Sequence, residues 1–331
     1  MPNFDAIRVV LASLVIISHS FALLGDKEPI VWVSTLGSFA VHGFFAMSGY
    51  LVATSALRFK SVPRFLGARA LRIIPGLVVA WCFSLLAARW AGGYAGNPGP
   101  PYINGPVWTL VWEALCYLAV ALLFAVGVLR KSAFAAFVAV TWLVVIVNVQ
   151  PGVDFYAAVV PMLLAFMGGV FLSLVGPVRK WTVIVAAIGL ALTVSFPIFN
   201  RVFDVTVGWI PVSFAPVGIT PGSLFGWIYI ACLPIVIVWL GNWQGIVIRL
   251  RWDISYGLYI YGWPIGQLLV YVAVSRKFDL SPLTLALATL AITAPVALAS
   301  WLVVERPALK LKRFLIATPA EEPKSTDVAL R

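Results

Sequence analysis

From residue 8 to residue 304 the chain repeats one pattern: about twenty apolar residues, a short break of charge or of Pro and Gly, then another apolar run. One such run can be a core helix, but a long series of them has no soluble core large enough to hold it. Only 11% of the 331 residues are charged and 62% are hydrophobic, with a mean hydropathy of +1.01. A soluble domain carries about a quarter charged residues. The expectation is an all-α polytopic membrane protein of about ten helices, at 8–24, 34–56, 71–90, 107–129, 132–150, 155–175, 181–198, 223–240, 253–274 and 282–304.

The basic residues give an orientation. With the N-terminus inside, the outer side keeps only Lys27, Arg89, Arg201, Arg276 and Lys277, and the other eighteen of the 23 Lys and Arg fall inside. Both termini are then cytoplasmic in a multi-pass membrane protein. The net charge of +11 reads as topology and contact with anionic lipid, and nucleic acid is set aside as a partner. Residues 1–315 form one membrane domain, and 316–331 a polar, disordered cytoplasmic tail. Cys82, Cys116 and Cys232 lie in apolar runs, so neither a disulfide framework nor a metal site is expected.

Two outer loops mix aromatics with Gly and Pro: residues 91–106, AGGYAGNPGPPYINGP, and the stretch near 199–222. Tyr94, Tyr102 and Trp209 in them can stack on sugars or simply anchor the membrane interface.

Ionisable groups inside a spanning helix are costly and by default mark function. Within the expected helices these are His19, His42 and Glu113, and the chain has no other histidine. Counting from the outer ends of their helices puts all three at one depth, roughly 10 Å in. His19 lies eleven residues, about 16 Å, from Arg8 on nearly the same helical face. A neutral imidazole beside a carboxylate is suited to general base work, with Glu113 fixing the ring of His19. The plainer readings stand beside these: Arg8 as a lipid-facing snorkel, the histidines as interhelical hydrogen bonders, His42 as a substrate contact or a structural partner. Arg69 and Arg72 share a helical face within the basic stretch 58–76, and paired guanidinium groups suit phosphate.

The residues resemble the acyltransferase 3 family of bacterial integral membrane acyltransferases. The likeness rests on Arg8 to His19 as R-x10-H, VHGFFAMSGYL at 41–51, Arg69 and Arg72 followed by IIP, WTLVWEALCY at 108–117, DISYGLYIYGWPI at 253–265 and VERP at 304–307. It implies transfer of an acyl group, usually acetyl from acetyl-CoA, onto a hydroxyl of a glycan such as an exopolysaccharide or lipid-linked oligosaccharide. Under it, His19 and Glu113 are catalytic, Arg8, Arg69 and Arg72 handle the donor, and no metal takes part. Ser48, Tyr117, Tyr256 and His42 are assigned to substrate contact. Thr109 stands where serine is common, and Trp263 where a histidine often precedes Pro264. Without the fused SGNH domain of many relatives, transfer is completed in the membrane domain or with a separate partner, a polysaccharide-biosynthesis protein or a second copy of the chain. Direct attack by the acceptor and an acyl-histidine intermediate both remain open.

Three smaller readings concern helix ends and packing. Gly43 and Gly49 permit close helix approach, Asp253 caps a helix, and Glu305 marks a helix end before Pro307. The competing function is a transporter or flippase for an envelope glycan precursor, which also needs buried ionisable groups.

Overall fold

The computed structural model describes residues 3–31, 34–59, 61–127, 129, 134–135, 138, 154–194 and 221–312. Its helices are α1 (Phe4–Leu23), α2 (Leu36–Phe59), α3 (Val62–Trp90), α4 (Val107–Ala125), α5 (Asp154–Val175), α6 (Lys180–Val194), α7 (Pro221–Asn242), α8 (Ser255–Arg276), α9 (Pro282–Ser300) and the short α10 (Arg306–Lys310). A π-helical turn, Trp301–Glu305, joins the last two. A two-stranded hairpin, Ile30–Val31 with Ser34–Thr35, leads into α2. Among the described residues seven helices are long and apolar enough to cross a membrane, and α6 and α7 contain shorter apolar spans. The protein is an all-α polytopic membrane protein. Of the expected helix 132–150 only residues 134, 135 and 138 are described, and residues 199–220 of the outer loop, with Trp209, and the tail 316–331 lie outside the described residues.

Helix α3 begins at Val62 rather than at the expected 71. Pro63 fits the first turn, where no backbone N–H is needed, and the arginines that interrupt the apolar pattern lie on the helix instead of before it. One face of α3, with Val78, Trp81, Leu85, Leu86 and Trp90, is exposed and apolar, as a lipid-facing surface should be.

Helices α1 and α2 run antiparallel, and three contacts give their register. The Gly37 N–H donates to Ser18 Oγ at 2.8 Å, Gly43 lies against Leu11, and the Phe4 and Tyr50 rings stack at 5.7 Å. Helix α2 also meets α5 at a pair of glycines. A methyl on Gly49 would strike the Phe166 carbonyl, and one on Gly169 would strike the Ala46 carbonyl. Lipid supplies no hydrophobic force between helices, so such backbone-to-backbone approach is what holds the pair.

Helix α8 packs on α1, α3 and α9 and is buried through its centre. Along it descends the segment 97–106, which sequence alone assigned to an outer loop. Gln267 Nε2 donates to the Pro100 carbonyl at 2.7 Å, Trp263 Nε1 to the Tyr102 carbonyl at 2.8 Å, and Asn97 Nδ2 to Gln267 Oε1 at 2.7 Å. Four residues of helix rise about 6 Å, close to two residues of extended chain, so side chains at 263 and 267 reach alternate carbonyls of the incoming segment. Asn104 Nδ2 donates to the Ile260 carbonyl at 2.9 Å and to Ser84 Oγ at 3.0 Å. Pro264, four residues after Ile260, has no N–H to give that carbonyl. Irregular backbone at membrane depth is tolerated only when protein satisfies it, and here α8 does so. The consequence is that α4 starts deep inside the bundle.

Candidate active site

A cavity of about 100 Å³ opens among α1, α2, α3, α4 and α8, and Arg8, Arg69 and Arg72 are on its wall with Ser48, Glu113, Tyr117 and Tyr256. Seven of the nine residues singled out in the sequence therefore face one space. Arg8 comes from the second turn of α1 and Arg69 and Arg72 from the N-terminal half of α3, and the packing gathers these parts at one end of the bundle, the basic end.

Their partners differ. Arg72 pairs with Asp253 at 2.5 Å, and the same carboxylate oxygen lies 3.7 Å from Arg8, which also pairs with Asp5 at 2.9 Å. Burial pushes the Asp253 carboxyl up, but Arg72 and then Arg8 outweigh it and hold the group below the ordinary carboxylate range. Asp253 is not the cap of α8; its other oxygen accepts from Ser255 Oγ at 2.6 Å, and no side chain caps that helix. Arg69 donates to Ser55 Oγ at 2.9 Å and lies 5.9 Å from the rings of Phe65 and Tyr117. No carboxylate among the described residues pairs with it, and its Nε has no partner. Arg69 is the cation best placed to meet an incoming anion.

Deeper in the cavity Glu113 Oε1 accepts from Ser48 Oγ at 2.9 Å and from the Tyr117 hydroxyl at 2.5 Å. Tyr117 is one turn after Glu113 on α4, and Ser48 faces both across α2. Tyr256 donates to the Ile73 carbonyl at 2.9 Å and so ties α8 to α3. The cavity is roofed by Phe44 and Tyr259, whose rings meet edge to face at 5.6 Å, with Thr109 Oγ1 2.5 Å from the Tyr259 hydroxyl.

The two histidines are elsewhere. His42 is buried and its Nδ1 lies 3.1 Å from the Tyr229 hydroxyl, a contact between α2 and α7 away from the cavity. Of the two readings, this interhelical contact is what a structural partner makes. The half-buried His19 sets its ring edge to face with Trp263 at 5.0 Å, under the descending segment. The expectation of one common depth fails. Ser18 is level with Gly37, whereas Glu113 is level with Ser48, eleven residues further along α2, on the order of 15 Å away. Counting inward from the start of α4 misplaced Glu113 because that start is itself deep. No hydrogen bond joins Glu113 to His19, so the carboxylate does not orient that imidazole.

Two carboxylates escaped the sequence reading. Asp253 became a cap because it precedes a helix; its place among basic residues was the available signal. Glu305 is the last residue of the π-turn, at a helix end, but it is buried, with Oε1 accepting from Ser300 at 3.0 Å and Oε2 without a partner among the described residues. Tyr94, offered as an outer aromatic, is buried, while Tyr102 is 62% exposed.

Membrane-length helices around an arginine-walled cavity define a multi-pass membrane protein with a basic interior site. Residues 1–304 match the acyltransferase domain family, and the chain belongs to it. An O-acetyl transferase of Shigella phage Sf6 is 26% identical over 305 residues, covering 81% of this chain and 85% of its own. Nodulation protein 10 of Rhizobium leguminosarum bv. viciae is 26% identical over 376 residues, covering 95% of each chain. No solved structure matches the chain.

Proposed function

We propose that this membrane acyltransferase is an O-acyltransferase that moves acetyl from acetyl-CoA onto a hydroxyl of an envelope glycan, an exopolysaccharide or a lipid-linked oligosaccharide. The observation that carries the reading is the cavity wall of Arg8, Arg69 and Arg72 at the basic end. That end faces the cytoplasm by the positive-inside rule, in the inner membrane, where acetyl-CoA is made. CoA is a polyanionic head on a thin, nearly uncharged arm. The head stays on the arginines, Arg69 first because no carboxylate holds it. The arm then enters between α2 and α4.

His19 is the base. Its imidazole accepts the proton of the acceptor hydroxyl as that oxygen attacks the thioester carbonyl, and the same proton passes to the departing CoA sulfur. The roof of Phe44 and Tyr259 stands between the cavity and His19, about 10 Å short of the Gly37 level, and must part for the thioester to arrive. Exposed Tyr102, its ring 6.4 Å from Trp263, lies on the side from which the acceptor comes. The name of the phage relative agrees with O-acetyl transfer.

The test supplies radiolabelled acetyl-CoA and acceptor glycan to membranes carrying wild type, His19→Ala or Arg69→Ala. His19→Ala loses transfer while still binding donor, and Arg69→Ala binds donor weakly. Unchanged labelling with His19→Ala removes the base, and movement of unmodified glycan by all three forms favours a flippase.

A further inference from the structure

We infer that Glu113 is the acceptor that reads the amide N–H groups of the donor's arm, held for that task by Ser48 and Tyr117; the inference rests on the reading of the donor as acyl-CoA. A carboxylate is out of place in a cavity meant for a polyanion unless it meets a different part of the ligand. Its position along the cavity says which part. Arg69 is held at Ser55 and Glu113 at Ser48, two turns deeper on α2, and Tyr117 lies between them, its ring 5.9 Å from Arg69 and its hydroxyl 2.5 Å from Glu113 Oε1. The order from the basic end inward is cation, then acceptor, then the aromatic roof. A molecule with a phosphorylated head and an amide-bearing arm has the same order.

The carboxylate is also oriented for it. Both protein donors, Ser48 Oγ and the Tyr117 hydroxyl, go to Oε1. Oε2 has no hydrogen bond among the described residues and is not enclosed, so it is left to the cavity that Glu113 lines. An ionised carboxyl is acceptor-only and takes N–H donors. The pantetheine arm offers two amide N–H groups and no charge. Binding one of them at Glu113 holds the arm between the arginines and the roof, so this carboxylate adds affinity for the donor at a distance from the imidazole.

The experiment measures binding of CoA and of its armless head, 3′-phospho-ADP, to the purified full-length protein in detergent. Glu113→Gln keeps an oxygen for Ser48 and Tyr117 and turns an NH₂ toward the arm, so donor meets donor. The expected result is about a tenfold rise in the Kd for CoA, the worth of one charge-assisted hydrogen bond, with no weakening of 3′-phospho-ADP. Arg69→Ala weakens both. In transfer assays Glu113→Gln raises KM for acetyl-CoA and keeps kcat at saturation. Equal weakening of both ligands by Glu113→Gln, an unchanged Kd for CoA, or loss of kcat with KM unchanged each overturns the inference. Wild type that binds neither ligand sinks the acyl-CoA reading instead, so the two failures are distinguishable.

Discussion

Asn104 donates to the Ile260 carbonyl at 2.9 Å, and that carbonyl is the one Pro264 leaves without a helical donor. The break in α8 and the amide of the descending segment therefore complete each other. Through this bond and the one to Ser84, α4 begins inside the bundle and Glu113 reaches the arginine cavity.

Asn104→Ala should lower stability in detergent by about 2 kcal/mol, because it leaves the Ile260 carbonyl buried and unsatisfied. Ser84→Ala should cost under about 1 kcal/mol, since Asn104 keeps its bond to Ile260. Thermal unfolding of the two variants beside wild type checks the order, and a larger loss for Ser84→Ala contradicts it.

The glycine pair between α2 and α5 gives a sharper contrast. Gly169→Ala puts a methyl against the Ala46 carbonyl, and backbone cannot move aside as a side chain can. A loss of at least ~2 kcal/mol is expected. Gly226→Ala, at a helical site with open space beside it, should be neutral or stabilising by up to about 1 kcal/mol. Comparable losses in both would mean that the helix approach is not what the glycine serves.

How much of this was legible in the sequence follows from what each feature depends on. The apolar runs and basic breaks depend on local composition; of the ten expected helices seven are of membrane length among the described residues, and Arg8, Arg69 and Arg72 meet on one cavity as the breaks suggested. Ser48, Glu113 and Tyr117 were identified as site residues, but the depth of Glu113 depended on where α4 starts. That start is set by Asn104, Trp263 and Gln267 meeting a segment more than 150 residues away in the chain, which no local pattern records. His42 looked functional because an intramembrane imidazole is rare, and its partner Tyr229 is likewise distant. Asp253 was misread for the opposite reason: a short-range rule, capping, was applied where a long-range ion pair prevails.

That ion pair predicts a pH dependence. The Asp253 carboxyl is held below its ordinary value by Arg72 and Arg8, so the stability it contributes is full above the unfolded-state pKa, about 3.9, and is lost as pH falls through the lower folded value. Asp253→Asn should cost about 3 kcal/mol at neutral pH, because Arg72 loses its counter-ion and Arg8 keeps only Asp5. The gap in melting temperature between wild type and Asp253→Asn should hold from pH 7 to pH 5 and close below about pH 4. A gap that widens on acidification contradicts the assignment.

The central claim is that the acyl donor enters from the arginine end while the hydroxyl is activated at His19 across the roof. Sealed vesicles of opposite orientation test it, because acetyl-CoA does not cross a bilayer. Radiolabelled acetyl-CoA added outside should label acceptor glycan in inside-out vesicles, where the basic end faces the medium, and His19→Ala should abolish that label without releasing bound donor. Equal labelling in sealed right-side-out vesicles, or full labelling by His19→Ala, would contradict the account.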